Sequence, residues 1–505
     1  MAAIPNIYVK LIGPGEPIRL TNTPDANEVM PQWSPDGKWI AFRRSTLKQT
    51  VAAVIPALGG PERFIALDRG TSVSWTADSH WIAYVSGNPS GLYLSSLDGS
   101  EKRPVIGPLQ SKYPVFGGIF SPDSRKLALV CTVGRHVPVY VVGVSADYKP
   151  QGEPKALTPL DWDVYSAAWT ADGKEILFIR GGGGNVGLDT AMYRVSAVGG
   201  APRRVQFAGD NPWLLGVARQ GHRMAFTRMH RDMNIYRAEI GKDGTIHGSG
   251  EAIASSSRAD IYPVYSPDGA RIAFGSNRGG SMEIWVTQAD GRNPVQLTNS
   301  VDPDHTQSPQ WSPDGSWIAY VAMSKSKPSL NIFMIPASGG AARAVTDDDN
   351  NLSAPMWSHD GHWIYFVKSS NIWKVEAGGG QAVQITREGG TQAQESPDGK
   401  WLYFLGPGGV IRRMPPAGGE AAEFARDSLS FWVSTRGLYF FGNRNRGVHD
   451  SPIMFVGHAG GAPKVIGSVQ RRIAPGISVS PDDRYLLYSQ DDQAAAELML
   501  VENFR

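Results

Sequence analysis

Cysteine is nearly missing from this sequence. Cys131 is the single one, so no internal disulfide framework can staple the chain. It ends the apolar run Leu127-Ala128-Leu129-Val130-Cys131, where a buried, inert thiol is expected. Long apolar runs are missing too, so the sequence offers no helix able to insert in a membrane. Charge of one sign is scarce: 49 Lys and Arg stand against 47 Asp and Glu, a net of +2. That balance excludes a strongly basic face for nucleic acid. The arginines at Arg43-Arg44, Arg444, Arg446 and Arg471-Arg472 are too dispersed to build one. The opening MAAIPNIYVKLIGPG lacks the basic region, apolar region and cleavage site of an export signal. The cytoplasm is therefore the default compartment, and the periplasm is expected only if a membrane-anchored part precedes.

Signatures of catalysis are absent as well. No G-x-S-x-G nucleophile elbow occurs; Gly476-Ile477-Ser478-Val479-Ser480 and Gly70-Thr71-Ser72-Val73-Ser74 both lack the closing glycine. Neither H-E-x-x-H nor C-x-x-C occurs, which removes the common zinc patterns. His80, His359 and His362 fall at turns, where a solvated role is expected. Gly182-x-Gly184-x-x-Gly187 matches the dinucleotide fingerprint in form only. That motif needs a helix opening on it, and a strand pattern follows instead, so an inter-strand loop is expected.

Turns are what the chain has in plenty, with 58 glycines and 36 prolines. The clearest is QWSPDGSWIAY, from Gln310 to Tyr320. Proline presets φ for the first central turn position, the aspartate bonds nearby backbone, and glycine takes the left-handed site. Apolar runs on both sides make it a β-hairpin signal. The phrase recurs from Trp33, Trp75, Phe120, Trp169, Tyr265, Trp357, Glu395 and Val479. The intervals between turns run from 38 to 49 residues, except for two of 96 and 84. Each long interval holds a degenerate copy, at Ala218-Arg219-Gln220-Gly221 and Ser434-Thr435-Arg436-Gly437. Eleven hairpins are therefore expected. Each is followed by an alternating strand such as Ile284-Trp285-Val286, a small-residue turn, and a short strand such as Val295-Gln296-Leu297-Thr298. Four strands per unit at this period read as propeller blades.

A chain of 505 residues is large for one core, so two domains are expected. The looser segment from Gly241 to Asp260 marks the boundary. The sequence predicts an all-β protein of two tandem six-bladed β-propellers. Residues 1–250 would form the first, with five full blades and a half blade at Asn6 to Thr21 that lacks its hairpin. The missing hairpin would lie upstream in a longer chain, or the ring would stay partly open. Residues 251–505 would form the second, its last blade ending in Glu497-Leu498-Met499-Leu500-Val501 and closed by Glu251-Ala252-Ile253-Ala254. A single ring of eleven or twelve blades is the alternative.

Few residues stand out from the scaffold. Asp302, Asp304 and His305, and then Asp347, Asp348 and Asp349, lie on connections that lead to inner strands. Such carboxylates could hold a hard cation such as calcium, although their spacing matches no EF-hand loop and solvated loop charge is the plainer reading. No other cofactor is expected. Glu395 replaces the aromatic residue of its series, so it must be paired or face the central channel. A structural ion pair is the first expectation, a ligand contact the second. The recurring turn aspartates read as scaffold.

The W-SPDG-x-W-I-A-F phrase, with its following IYV strand, GG turn and LT strand, resembles the TolB-type β-propeller repeat over nearly the whole chain. IYVKLIGPGEPIRLT and SPDDRYLLYSQDDQAAAELMLVENFR resemble the propeller part of acidobacterial-type sensor proteins. There a winged-helix or Ser/Thr kinase domain precedes the propellers, and an S-P-D-G hairpin precedes the IYVKLIG strand. The same repeats precede an α/β-hydrolase domain in prolyl-oligopeptidase-like peptidases, a domain for which this chain has no room. The resemblance implies a non-catalytic binding or sensory scaffold, the sensor part of a signalling or transcriptional regulator. The alternatives are a TolB-like periplasmic envelope component and a propeller-scaffold hydrolase or peptidase without its catalytic domain. Partners would be a protein, a peptide or a small molecule, at an axial face or in the cleft between rings.

Overall fold

The computed structural model describes residues 6–46, 49–67, 73–87, 90–107, 114–133, 136–160, 162–181, 190–209, 211–299, 306–323, 329–442 and 450–504. These residues form strands and two single 3-10 turns, with no α-helix among them. All eleven expected hairpins are present. Nine sheets have four antiparallel strands in chain order.

The recurring turn explains why the hairpins form. In the copy at Ser396, the serine Oγ donates to Asp398 Oδ1 at 2.6 Å. The same carboxylate accepts the Lys400 backbone N–H at 3.2 Å, and Ser396 Oγ accepts that of Trp401 at 3.0 Å. Gly399 closes the turn at φ +67°, which a side chain would strain. These donors favour the ionised carboxylate. The Ser396 hydroxyl and the Lys400 amide hold Asp398 down at about 2. Ser312 and Ser316 hold Asp314 at about 2. The Ser or Thr within each turn likewise lowers Asp123, Asp172, Asp268, Asp360 and Asp482.

A pH dependence follows. The folded pKa values lie below the unfolded value of about 3.9, so the unfolded chain binds more protons in between. The stabilisation is complete above about pH 4 and is lost as pH falls toward about 2. The melting temperature should drop most steeply across that window. A melting temperature that stays level through it would show that the turns carry no such linkage.

The chain divides into two compact units, one of residues 231–495 and one of residues 2–230 with 496–505. The division falls before the Gly241–Asp260 segment, which belongs wholly to the first of these units. Its Gly-Lys-Asp-Gly-Thr stretch is a tight turn tied by Asp243 to Thr245. The flanking Ile240 and Ile246 are buried with Tyr439, Phe441, Ile466 and Leu486. Glycine and serine there signal a turn within a blade, and not a linker.

Residues 231–495 build a closed circuit of six sheets. The inner strands Asp260–Tyr265, Gln307–Trp311, Leu352–Trp357, Ala393–Glu395, Ser428–Val433 and Ile473–Val479 each pack on the next, and the last packs on the first. A Cβ placed on Gly269 would meet Pro481 Cδ at 3.4 Å, so the first and last turns also touch. The sixth sheet is assembled from distant segments. Ile473–Val479 pairs with the start of the long strand Tyr485–Val501, which pairs with the end of the long strand Met224–Glu239. Glu251–Ala254 adds at the outer edge, against residues 235–237. The expected closing strand 251–254 is thus in the last blade. Its third strand, however, is 233–239 and not 497–501. Burial decides this: Ile235 and Ala254 pack with Tyr265, Phe274 and Leu487, and Tyr236 stacks on Tyr488 at 5.7 Å.

The other unit holds four complete sheets, beginning at Asn27, Ser74, Val115 and Asp163. Its fifth hairpin, Pro212–Val217 with residues 224–228, belongs to the same sheet as the end of Tyr485–Val501. Met499, Val501 and Phe504 pack on Leu177, Met192, Leu215 and Phe226, and Phe504 N donates to His222 O at 2.8 Å. The half blade is also present, as Tyr8–Val9 paired with Ile18–Arg19. Its outer pair carries the same lock as complete blades. Ile7 N donates to Thr21 Oγ1 at 2.9 Å, as Ile284 N does to Thr298 Oγ1 at 2.9 Å and Ile372 N to Thr386 Oγ1 at 2.8 Å.

Candidate functional site

In residues 231–495 the six inner strands end around a common mouth. It encloses about 290 Å³ and is lined by every one of the six turns. Tyr265, Trp311, Met356, Trp357, Glu395 and Trp432 are among the residues of its wall. The residue that opens each turn decides how one blade holds the one before. Trp311 donates its indole N–H to Val264 O at 3.3 Å, and Trp357 donates to Gln310 O at 3.2 Å. Trp75 and Trp169 do the same in the other unit, to Gln32 O and Ile119 O. The acceptor is always the residue just before the turn-opening position of the preceding blade.

Glu395 occupies that position without an indole. It binds backward with acceptors in place of a donor. Its Oε2 accepts the His359 backbone N–H at 2.8 Å, and its Oε1 accepts the Tyr365 hydroxyl at 2.6 Å. Both partners are neutral, which corrects the expected ion pair: the carboxyl group at the mouth is held by hydrogen bonds. Burial, then the bonded carboxylate, push the Tyr365 phenol far up, so it stays a donor. The neighbouring Gln394 reaches the next blade, its Oε1 accepting Val433 N at 2.6 Å. Gln392 Nε2 donates to Phe431 O at 2.7 Å. Sequence reasoning passed over Gln392, Gln394, Met356 and Trp432. The signal available was alternation: Met356 and Gln394 stand one residue before the turn-opening position, and Trp432 in the degenerate copy does too.

The mouth holds little chemistry beyond binding groups. The hydroxyls of Ser266, Ser358, Ser396 and Ser480 are committed to their turn aspartates. Of the acidic loops, Asp348 pairs with Lys368 and accepts from Asn350, so its carboxylate is already matched. Asp347 and Asp349 flank it and have partners of their own. Asp302, Asp304 and His305, the glycine pattern at Gly182 to Gly187, and Arg444 and Arg446 lie outside the described residues. Among the described residues no group of three or more His, Cys, Asp or Glu could hold a metal ion, and no helix is long and apolar enough to cross a membrane. Cys131 is buried, and burial pushes its thiol up to about 12, which keeps it inert.

Residues 68–302 and 281–503 match the family model of the TolB beta propeller domain, PD40. The chain belongs to this family. The matches reach into both units, and the fold is a pair of TolB-like β-propellers. A Tol-Pal system protein TolB of Anaeromyxobacter dehalogenans is 48% identical over 48 residues, 10% of this chain and 11% of that protein. An uncharacterized protein of Agrobacterium fabrum is 29% identical over 115 residues, 22% of this chain and 36% of that protein. The chain thus spans only 11% to 36% of the length of these relatives. Among solved structures, TolB from Acinetobacter baumannii aligns with a TM-score of 0.37 and 16% identity, over 53% of this chain and 65% of that one. A nidogen/laminin complex aligns at 0.39 and 10% identity, over 52% of this chain and 99% of that one.

Proposed function

We propose that this PD40 protein is a non-catalytic binding scaffold whose ligand, a peptide segment, enters the mouth formed by residues 231–495. One observation carries this reading: a carboxylate, Glu395, is set in an aromatic rim and held there by neutral donors. Ionised, it has lone pairs left for a further donor. Trp432 and Met356, both half-buried, offer apolar and polarisable surface beside it. The ligand that fits is a segment with an ammonium or guanidinium next to an apolar side chain.

A labelled random peptide library screened against the whole chain, followed by titration of the best binder, tests this. Glu395→Gln should weaken binding roughly tenfold and leave the melting temperature nearly level. Glu395→Ala should also cost stability, about 1–3 kcal/mol, because the buried Tyr365 hydroxyl loses its acceptor. Binding that ignores both Glu395→Gln and Trp432→Ala would remove the mouth as the site.

The finer reading is that the propellers are the sensor part of a signalling or transcriptional regulator. The intact mass of the native gene product tests it. A mass well above 54.6 kDa supports a fused effector domain, and a matching mass removes it. The similarity to the Tol-Pal system protein TolB favours a second reading, an envelope component. Fractionation of the native cells separates the two: recovery from the periplasm supports the envelope role, recovery from the cytoplasm the regulator.

A further inference from the structure

The mouth of residues 231–495 is unbalanced in its polar groups. Among the described residues that line it, Glu395 is the one carboxylate, and none is Lys or Arg. Each Glu395 oxygen accepts a single hydrogen bond, from His359 N and from the Tyr365 hydroxyl, whereas a carboxylate has about four acceptor sites. The residue before it is short of an acceptor instead. Gln394 is 4% exposed and lines the same mouth. Its Oε1 is taken by Val433 N. Among the described residues its Nε2 reaches only the Met356 thioether, at 3.8 Å, a weak acceptor. A buried amide N–H left in that state is costly. Both groups turn toward the preceding blade, Glu395 to His359 and Gln394 Nε2 to Met356. Trp432 lies across the ring from them. It packs on the group of Ile477 and Val479 and also on the group of Val264 and Trp311. The indole therefore spans the passage, and an extended chain enters by an end and does not run through.

We propose that the mouth takes a polypeptide by its free amino end. The α-ammonium pairs with Glu395, the first carbonyl accepts from Gln394 Nε2, and an apolar first side chain lies against Trp432 and Met356. This rests on the mouth being the binding site. Chemistry separates an amino end from the tip of a lysine or arginine. Both tips donate only and bring no acceptor, so they leave Gln394 Nε2 as it is. An amino end carries its charge and a carbonyl on the same residue, and so answers the acid and the amide together. The enclosed volume of about 290 Å³ falls just below the roughly 300–1,000 Å³ of small-ligand pockets, which suits a chain end and excludes a folded surface.

The probe is a library of hexapeptide amides, fluorescein-labelled on the last residue and free of Lys, Arg and His, so that the α-ammonium is the sole cation. It is screened by anisotropy against the whole chain, and again after acetylation of the amino end. The expected result is saturable binding by members with an apolar first residue, weakened roughly tenfold or more by acetylation. Glu395→Gln, which keeps an acceptor for Tyr365, should erase the difference between free and acetylated peptides. Gln394→Met should weaken both alike, several-fold. Circular dichroism checks that both variants fold. Equal binding of free and acetylated peptides overturns the proposal. An apolar amino-acid amide that competes as well as its hexapeptide also overturns it, since a single free residue would then be the occupant. Binding confined to an acetylated library that contains Lys and Arg, and lost in Glu395→Gln, keeps the mouth as the peptide site and removes only the amino end. Binding from neither library removes both.

Discussion

Removing residues 496–505 should lower the melting transition of the N-terminal unit by roughly 8–16 °C and leave that of residues 231–495 in place. The segment brings Met499, Val501 and Phe504 onto the buried Leu177, Met192, Leu215 and Phe226. Full burial of such a side chain contributes about 1.5–3 kcal/mol. These three are only partly buried, which puts the loss on the order of 4 kcal/mol. The ion pairs lost with them, His230 with Glu497 and Arg223 with Glu502, are exposed and add little. For a unit of this size each kcal/mol moves the midpoint by about 2–4 °C. Calorimetry on the truncated chain reads the shift directly. Hydrogen exchange should locate the loosened backbone at residues 175–181 and 212–228. A peptide of residues 493–505 added in trans should restore part of the midpoint. A transition of the N-terminal unit that does not move would mean the segment rests on that unit without completing its sheet.

This exchange of strands is where reading the sequence fell short. Turns are local chemistry, so Ser-Pro-Asp-Gly announces itself within four residues, and its spacing announces the blades. All eleven hairpins were legible for that reason, including the degenerate ones at Arg219 and Arg436. The partner of a third strand is not local. Residues 233–239 and 497–501 both alternate as strands should, and both follow a hairpin. Nothing within either segment says which hairpin it will complete. That is settled by fit against side chains about 250 residues away, such as Tyr236 meeting Asp492 and Tyr488. The same limit applies to the site. Glu395 was visible because it broke an aromatic series. Its donors were not, since His359 and Tyr365 lie a blade earlier and only the closed circuit brings them within reach.

The repeat also supplies an internal control, from which the last large effect follows. Trp357→Ala should cost about 3–5 kcal/mol, because the ring is 8% exposed and packs among Ala319, Val321, Ile332 and Phe366. Trp33→Ala, at the same position of the same repeat, should cost under about 1 kcal/mol, since its ring is more than half in water. The expected midpoint shifts in calorimetry are roughly 6–20 °C for the first and under about 4 °C for the second. The indole and the Ser-x-Asp-Gly turn after it are shared, with Pro35 in place of His359 as the difference within the turn, so the gap between the two losses reports chiefly what the preceding hairpin contributes. Equal losses would mean that the indole stabilises its own turn, and that the blade before it matters little.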